Sequence, residues 1–290
     1  MKRKILVPVD FSTTAHNAYL YARELAKVFN CLVEVVHAYR LYNSGNTVPA
    51  LMAESGKLKT IEKQLNDFIK DVSEQEKGAV LTKVEVVMNV QEGDPVPIII
   101  RESKNENVFM IIMGTIGKHL LGDYILGSVA SSVARKAGSP VLLISEGVSY
   151  CHFDNILYAT NFESAQPEMV IEITNFANLF RAAVHFIHIK EASKIGDFIQ
   201  IQKDIYEYLF GDKELAFTFH MKLVEADSVV NGLHDYADEN QIDLIVLVNK
   251  NRGFLDSLMG ESTSKNMALN LKYPLMIYHY SANSNYEKLT

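Results

Sequence analysis

The chain has 290 residues, 48% hydrophobic and 22% charged, with a net charge of −7; this suits two ordinary soluble domains and argues against general nucleic-acid binding through phosphates. Its two cysteines, Cys31 and Cys151, form no CxxC pair, which argues against a disulfide scaffold or zinc ribbon and fits a reducing compartment. The basic start Lys2-Arg3-Lys4 is followed by an apolar run too short for a signal peptide, and no stretch approaches the roughly 18 apolar residues of a membrane helix, so the expected location is cytoplasmic, with no membrane partner.

From the amino end, residues 4–9 read as a strand, 13–29 as a helix and 32–38 as a second strand. Leu58, Ile61, Leu65, Phe68, Ile69 and Val72 keep helical spacing within a helix placed at 55–77. A third strand is expected at 82–88, then a helix at 95–106 with Asp94 as cap and Pro95 in its first turn. Residues 108–113 are apolar on both faces, the mark of a central parallel strand. A helix at 127–138 and a strand at 140–145 complete the first series. The second series has strands near 155–160, 183–189, 216–223, 243–248 and 274–279, with helices between them. Alternating strand and helix implies right-handed crossovers and a doubly wound α/β sheet in each half.

The two series are copies. Residues 4–11 (KILVPVDF) resemble 155–162 (NILYATNF), and 33–38 (VEVVHA) resemble 184–189 (VHFIHI), both offset by 151 positions. Residues 108–114 resemble 243–249 at an offset of 135, and 139–145 resemble 273–279 at 134. A shorter middle segment in the second copy explains most of that drop. The period is far longer than a solenoid unit, so whole domains are duplicated. The expected domains are 1–147 and 153–280, followed by a polar tail at 281–290.

The chemistry sits after the fourth strand of the first copy. There Gly114, Gly117, Gly127 and Ser128 form a Gly-x2-Gly-x9-Gly-Ser pattern between a buried strand and a helix. Glycine lets backbone approach a phosphate and permits positive φ. Gly127 and Ser128 open a helix, where free N–H groups and the positive dipole end favour an anion. The Ser128 hydroxyl either caps that helix or donates to phosphate. In a sheet ordered 3-2-1-4-5 the carboxyl ends of strands one and four form one crevice, so Asp10 can face the same space as Gly114. Asp10 reads equally as a ribose ligand or as the cap of the first helix, near Ser12 and Thr13.

On these residues the first copy resembles an ATP-binding universal stress protein domain, and the whole chain resembles a tandem member of that family. The loop, the ILVPVDFS start and the VVHA second strand all match. The resemblance implies two Rossmann-like (adenine nucleotide alpha hydrolase-like) domains with five-stranded parallel sheets of order 3-2-1-4-5. It implies that Pro8, Val9 and Asp10 line the adenine and ribose end, and that Ala38 offers backbone to the base. Met113, Gly114, Thr115 and Gly117 would flank the nucleotide, while Gly127, Ser128 and Val129 take the phosphates of ATP (or ADP or AMP) with Mg²⁺ or Mn²⁺. Ile116 stands where members often carry a polar or basic residue. The family further implies pairing of fifth strands into an intrachain pseudo-dimer, with a homodimer as a further expectation.

The second copy departs from this pattern. Asn249 and Arg252 stand at the first two glycines, Gly253 is one place off register, Glu261 replaces the third, and Ser262 remains. Asn161 replaces Asp10 and Ala159 replaces Pro8. A carboxylate at the helix start repels phosphate, so this copy is not expected to bind ATP in the same way. No Walker motif is present, and no nucleophile with a poised base stands out. His185 and His188 alternate across a strand, which argues against a shared metal. Lys118 and His119 read as solvated loop residues. A stress-response sensor or regulator is the leading reading. A slow ATPase or nucleotidyl transferase at the same site, and a scaffold or small-ligand binder, are the alternatives.

Overall fold

The computed structural model describes residues 2–40, 48–75, 84–115, 126–159, 167–190, 218–249 and 272–279. Two compact units divide the chain, the first ending at Ser149 and the second beginning at Tyr150. Among the described residues no helix is long and apolar enough to cross a membrane.

The first unit runs β1 (Lys4–Pro8), α1 (Thr13–Phe29), β2 (Leu32–Tyr39), α2 (Val48–Gln75), β3 (Val86–Glu92), α3 (Pro95–Glu102), β4 (Val108–Gly114), α4 (Ser128–Lys136) and β5 (Val141–Ile144). Its strands are all parallel, in the order β3-β2-β1-β4-β5. Val108 to Met113 of β4 are buried, as a strand covered on both faces must be. Helix α1 buries Ala15, Ala18, Ala22, Leu25 and Ala26 at helical spacing, and its small alanines let it lie close over the sheet. It stops at Asn30, which adopts the left-handed conformation (φ 48°) and donates its N–H to Ala26 O.

Three boundaries of the first unit differ from the sequence expectation, the first being that α2 begins at Val48 rather than 55. The third strand is Val86–Glu92 rather than 82–88, in register with β2 from Val33↔Val86 to Tyr39↔Glu92. Polar Asn89 and Gln91 belong to it because their side chains are used. Asn89 donates to the buried Glu34 carboxylate at 2.7 Å, and Gln91 donates to Asn89 and Glu102. Lys4 pairs with the other Glu34 oxygen. Helix α3 ends at Glu102 rather than 106. The next residue, Ser103, is drawn to the α4–β5 turn: its hydroxyl accepts from Gly138 N–H at 2.8 Å and its carbonyl accepts from the Ser139 hydroxyl at 2.6 Å.

The second unit runs β6 (Asn155–Ala159), α5 (Pro167–Phe180), β7 (Ala183–Lys190), β8 (Phe219–Glu225), α6 (Val229–Glu239), β9 (Leu244–Asn249) and β10 (Leu275–His279). The parallel order β8-β7-β6-β9-β10 repeats that of the first unit. Strand β8 lies a few residues later than the 216–223 expected, for the reason that applies to β3: it is an edge strand with mixed polarity. A ring cluster of Phe153, Phe176 and Phe180, with centroids 4.8–6.1 Å apart, packs α5 against the chain entering β6. Asp243 ties that entry down by accepting the Asp154 and Asn155 N–H groups at 2.8 and 2.9 Å.

Candidate functional site

The turn from β1 into α1 is tightly specified. Phe11 is left-handed (φ 61°), a conformation that costs a non-glycine residue roughly 1 kcal/mol or more. Its ring compensates by packing on His37 (centroids 4.5 Å apart) and edge-on to Phe68 of α2 (5.9 Å). The cap of α1 is Ser12, not Asp10. The Ser12 hydroxyl accepts from Ala15 N–H at 3.1 Å and donates to Asp10 Oδ1 at 2.5 Å. Asp10 Oδ1 also accepts from Ser12 N–H at 3.0 Å, so the carboxylate is held by the capping residue rather than spent as the cap.

At the end of β4, Gly114 has another purpose than a positive φ. A Cβ added there would lie 2.8 Å from the Thr14 carbonyl carbon and 2.9 Å from its Cβ and Oγ1. Its bare Cα makes room for the first turn of α1. The following Thr115 is buried. Its carbonyl accepts from Gly127 N–H at 2.7 Å, which pins together the two ends of the glycine-rich segment. Gly127 is the N-cap of α4 (φ −61°, ψ 152°) and gives it no side-chain cap. Ser128 is therefore the first helical residue, and its hydroxyl is not the cap. The opening N–H groups of α4 have no intrahelical acceptor, and Arg135 and Lys136 in the last turn match the opposite dipole end.

These segments surround one cavity of about 420 Å³, within the usual range for small-molecule sites. Ten of the eleven residues expected from the sequence line it: Pro8, Val9, Asp10, Ala38, Met113, Gly114, Thr115, Gly127, Ser128 and Val129. Gly117 lies outside the described residues, as do Ile116, Lys118 and His119. Sequence reasoning did not pick out His37 as lining, nor Pro95 and Ile99 from α3. The start of α3 already had a signal in Asp94-Pro95. In the structure Asp94 is the N-cap position, but its side chain makes no cap bond and pairs with Arg40 instead.

The β1–β2 ladder leaves a notable edge in this cavity. Leu32 N–H donates to Arg3 O at 3.1 Å and Val9 N–H donates to Val36 O at 2.9 Å. The even-numbered residues of β2 therefore turn their peptide groups toward β1. Val33 N–H reaches Glu85 O at 2.9 Å, and Tyr39 O accepts from Gly93 N–H at 2.8 Å, so the odd-numbered ones face β3. The rung after Val9 would join Ala38 N–H to Val9 O. It is not made: Val9 O accepts from His37 Nδ1 at 2.8 Å. Among the described residues the Ala38 N–H and C=O are left without a partner, side by side and facing past the end of β1.

The family's sequence model matches residues 1–145 and again 152–279. The chain belongs to the universal stress protein family. A universal stress protein of Methanocaldococcus jannaschii is 29% identical over 156 residues, covering 50% of this chain and 95% of the relative. The stress response protein NhaX of Bacillus subtilis is 27% identical over 163 residues, 49% of this chain and 96% of its own. Over the whole chain, a solved universal stress protein from Archaeoglobus fulgidus shares the fold with a TM-score of 0.68 at 19% identity, covering 97% of each chain. The two matched segments make this chain a tandem, two-domain member of the family.

In the second universal stress protein unit, β6 ends at Ala159 where β1 has Pro8, and β9 ends at Asn249 where β4 has Gly114. Asn161, Arg252, Gly253, Glu261 and Ser262 lie outside the described residues. His185 occupies the position of Glu34 and is buried. Its Nδ1 is hydrogen-bonded with the Tyr236 hydroxyl at 2.9 Å and its Nε2 faces Asn155 Oδ1 at 3.4 Å. Burial, with the nearby His220, pulls its pKa down to about 4.

Proposed function

We propose that the first unit binds an adenine nucleotide, ATP foremost, and that the protein acts as a cytoplasmic nucleotide-dependent sensor or regulator of a stress response. The carrying observation is that the uncapped amino end of α4 and the unpaired Ala38 edge open on the same cavity. The first is a phosphate-type site, because several N–H groups and the positive dipole end converge there. The second offers a donor and an acceptor side by side, which matches the N1 and amino group of adenine. Pro8, Pro95, Ile99 and Met113 give this part of the cavity apolar walls suited to a base, and Asp10 supplies a carboxylate for ribose hydroxyls.

Binding fits better than turnover. Asp10 and His37 are the titratable residues lining the cavity among the described ones. Asp10 Oδ1 is taken by Ser12, and His37 Nδ1 by Val9 O. No cluster of three His, Cys, Asp or Glu that could hold a metal is found among the described residues. Mg²⁺ or Mn²⁺ would therefore arrive with the phosphates, with the Ser128 hydroxyl as a protein ligand.

Calorimetric titration of the full chain with ATP, ADP and AMP tests the proposal. One nucleotide per chain is expected, bound at least tenfold more weakly by Val129→Glu, which places a carboxylate in the first turn of α4 beside the phosphates. Unchanged affinity in that variant, or no binding of any of the three at millimolar concentration, would refute it.

A further inference from the structure

His37 is unusual in spending its side chain on the backbone of the neighbouring strand. A carbonyl oxygen can only accept, so in the bond to Val9 O it is His37 Nδ1 that carries the proton. That bond stands where a parallel ladder would place the Ala38 amide. The same ring packs against Phe11, the strained residue directly after Asp10. Removal of the imidazole donor would leave Val9 O without a partner, and a buried or half-buried carbonyl without one is costly. The nearest replacement donor is the Ala38 N–H, one rung further along β2.

We propose that His37 is a positioning residue: by taking the Val9 carbonyl in place of the Ala38 amide, it stops the β1–β2 ladder one rung short and keeps the Ala38 edge open for the base of a bound nucleotide. The ligand in this statement rests on the nucleotide reading above; the competition for Val9 O does not. The imidazole acts on recognition through its hydrogen bond to Val9 O. His188 is its repeat equivalent in the second unit; the choice of acceptor gives His37 a part in the site.

The test uses the full chain and two variants. His37→Phe keeps a ring against Phe11 but removes the donor. His37→Asn keeps a donor near the position of Nδ1. Amide hydrogen exchange at Ala38, followed by NMR without ligand, is expected to slow at least tenfold in His37→Phe and to stay fast in His37→Asn. Adenosine affinity is expected to fall at least tenfold in His37→Phe and to remain within threefold of the original in His37→Asn. His37→Leu, examined alongside, guards against a packing failure peculiar to Phe. Unchanged Ala38 exchange in both donorless variants overturns the proposal. So does unchanged adenosine affinity in them when the original chain binds adenosine. Should the original chain bind no adenosine or ATP, the nucleotide reading falls, and the exchange measurement alone decides the role of His37.

Discussion

Gly114→Ala separates two reasons for a glycine at the end of β4. If the glycine exists to let a ligand approach, a methyl group there should cost affinity and little stability. The geometry says otherwise: the new Cβ would sit 2.8 Å from the Thr14 carbonyl carbon and 2.9 Å from Thr14 Cβ and Oγ1. Two of those atoms cannot swing away, because one is backbone and the other is fixed to it. The first turn of α1 would have to retreat by roughly half an ångström, and overpacking of this kind costs about 1–3 kcal/mol. In a unit of this size that corresponds to a fall in melting temperature of roughly 3–10 °C. Affinity should fall too, since Ser12, Thr14 and Ala15 line the cavity from the same turn. Gly56→Ala is the control. It lies within α2 with nothing within 4 Å of its added Cβ, and should stabilise by about 0.5–1 kcal/mol through helix propensity. Urea and thermal unfolding of the three proteins, with ATP titrations, give the answer. Full stability in Gly114→Ala together with lost binding would refute the packing argument and return the glycine to the ligand.

Three further outcomes are expected. His185 has a folded pKa of about 4 against about 6.5 when unfolded, so the unfolded chain binds the extra proton between these values; stability should fall as pH drops from about 6.5 and level off below about 4, by at most about 3 kcal/mol. Urea unfolding from pH 7.5 to 4 should show that slope weakened in His185→Gln, and an equal slope in both proteins would exclude His185 as its source. Tyr278 is buried and its hydroxyl has no hydrogen-bond partner among the described residues, and burial together with Glu172 holds the phenol well above its ordinary pKa. Tyr278→Phe should therefore raise the urea midpoint by about 1 kcal/mol equivalent, and a lowered midpoint would show that the hydroxyl has a partner in solution. Cys31 is buried, with its thiol pushed up to about 11 by that burial. Exposed Cys151 is raised by partial burial and by Asp243. Iodoacetamide at neutral pH should therefore label Cys151 slowly and Cys31 only after unfolding, as peptide mass mapping would show; early labelling of Cys31 would contradict its placement in the core.

Local pattern alone was enough for much of this protein. Repeated apolar runs at a 151-residue offset imply the duplication, and β4 declares itself by being apolar on both faces, because those features are written in contiguous residues; the strand order that brings Asp10 and Gly114 to one crevice comes from the family resemblance. The edge strands β3 and β8 were misplaced by a few residues, since polar Asn89 and Gln91 look like loop until Glu34 and Glu102 are seen to engage them. The choice of Ser12 over Asp10 as the cap of α1, and of Gly127 over Ser128 at α4, depended on backbone angles that neighbouring serines and aspartates permit equally. Why Gly114 must lack a side chain, and how His37 displaces the Ala38 amide from Val9, could be decided only in three dimensions. In each case the deciding partner is a hundred or some thirty residues away in the chain, and contact at that separation is set by how the strands stack rather than by any local preference.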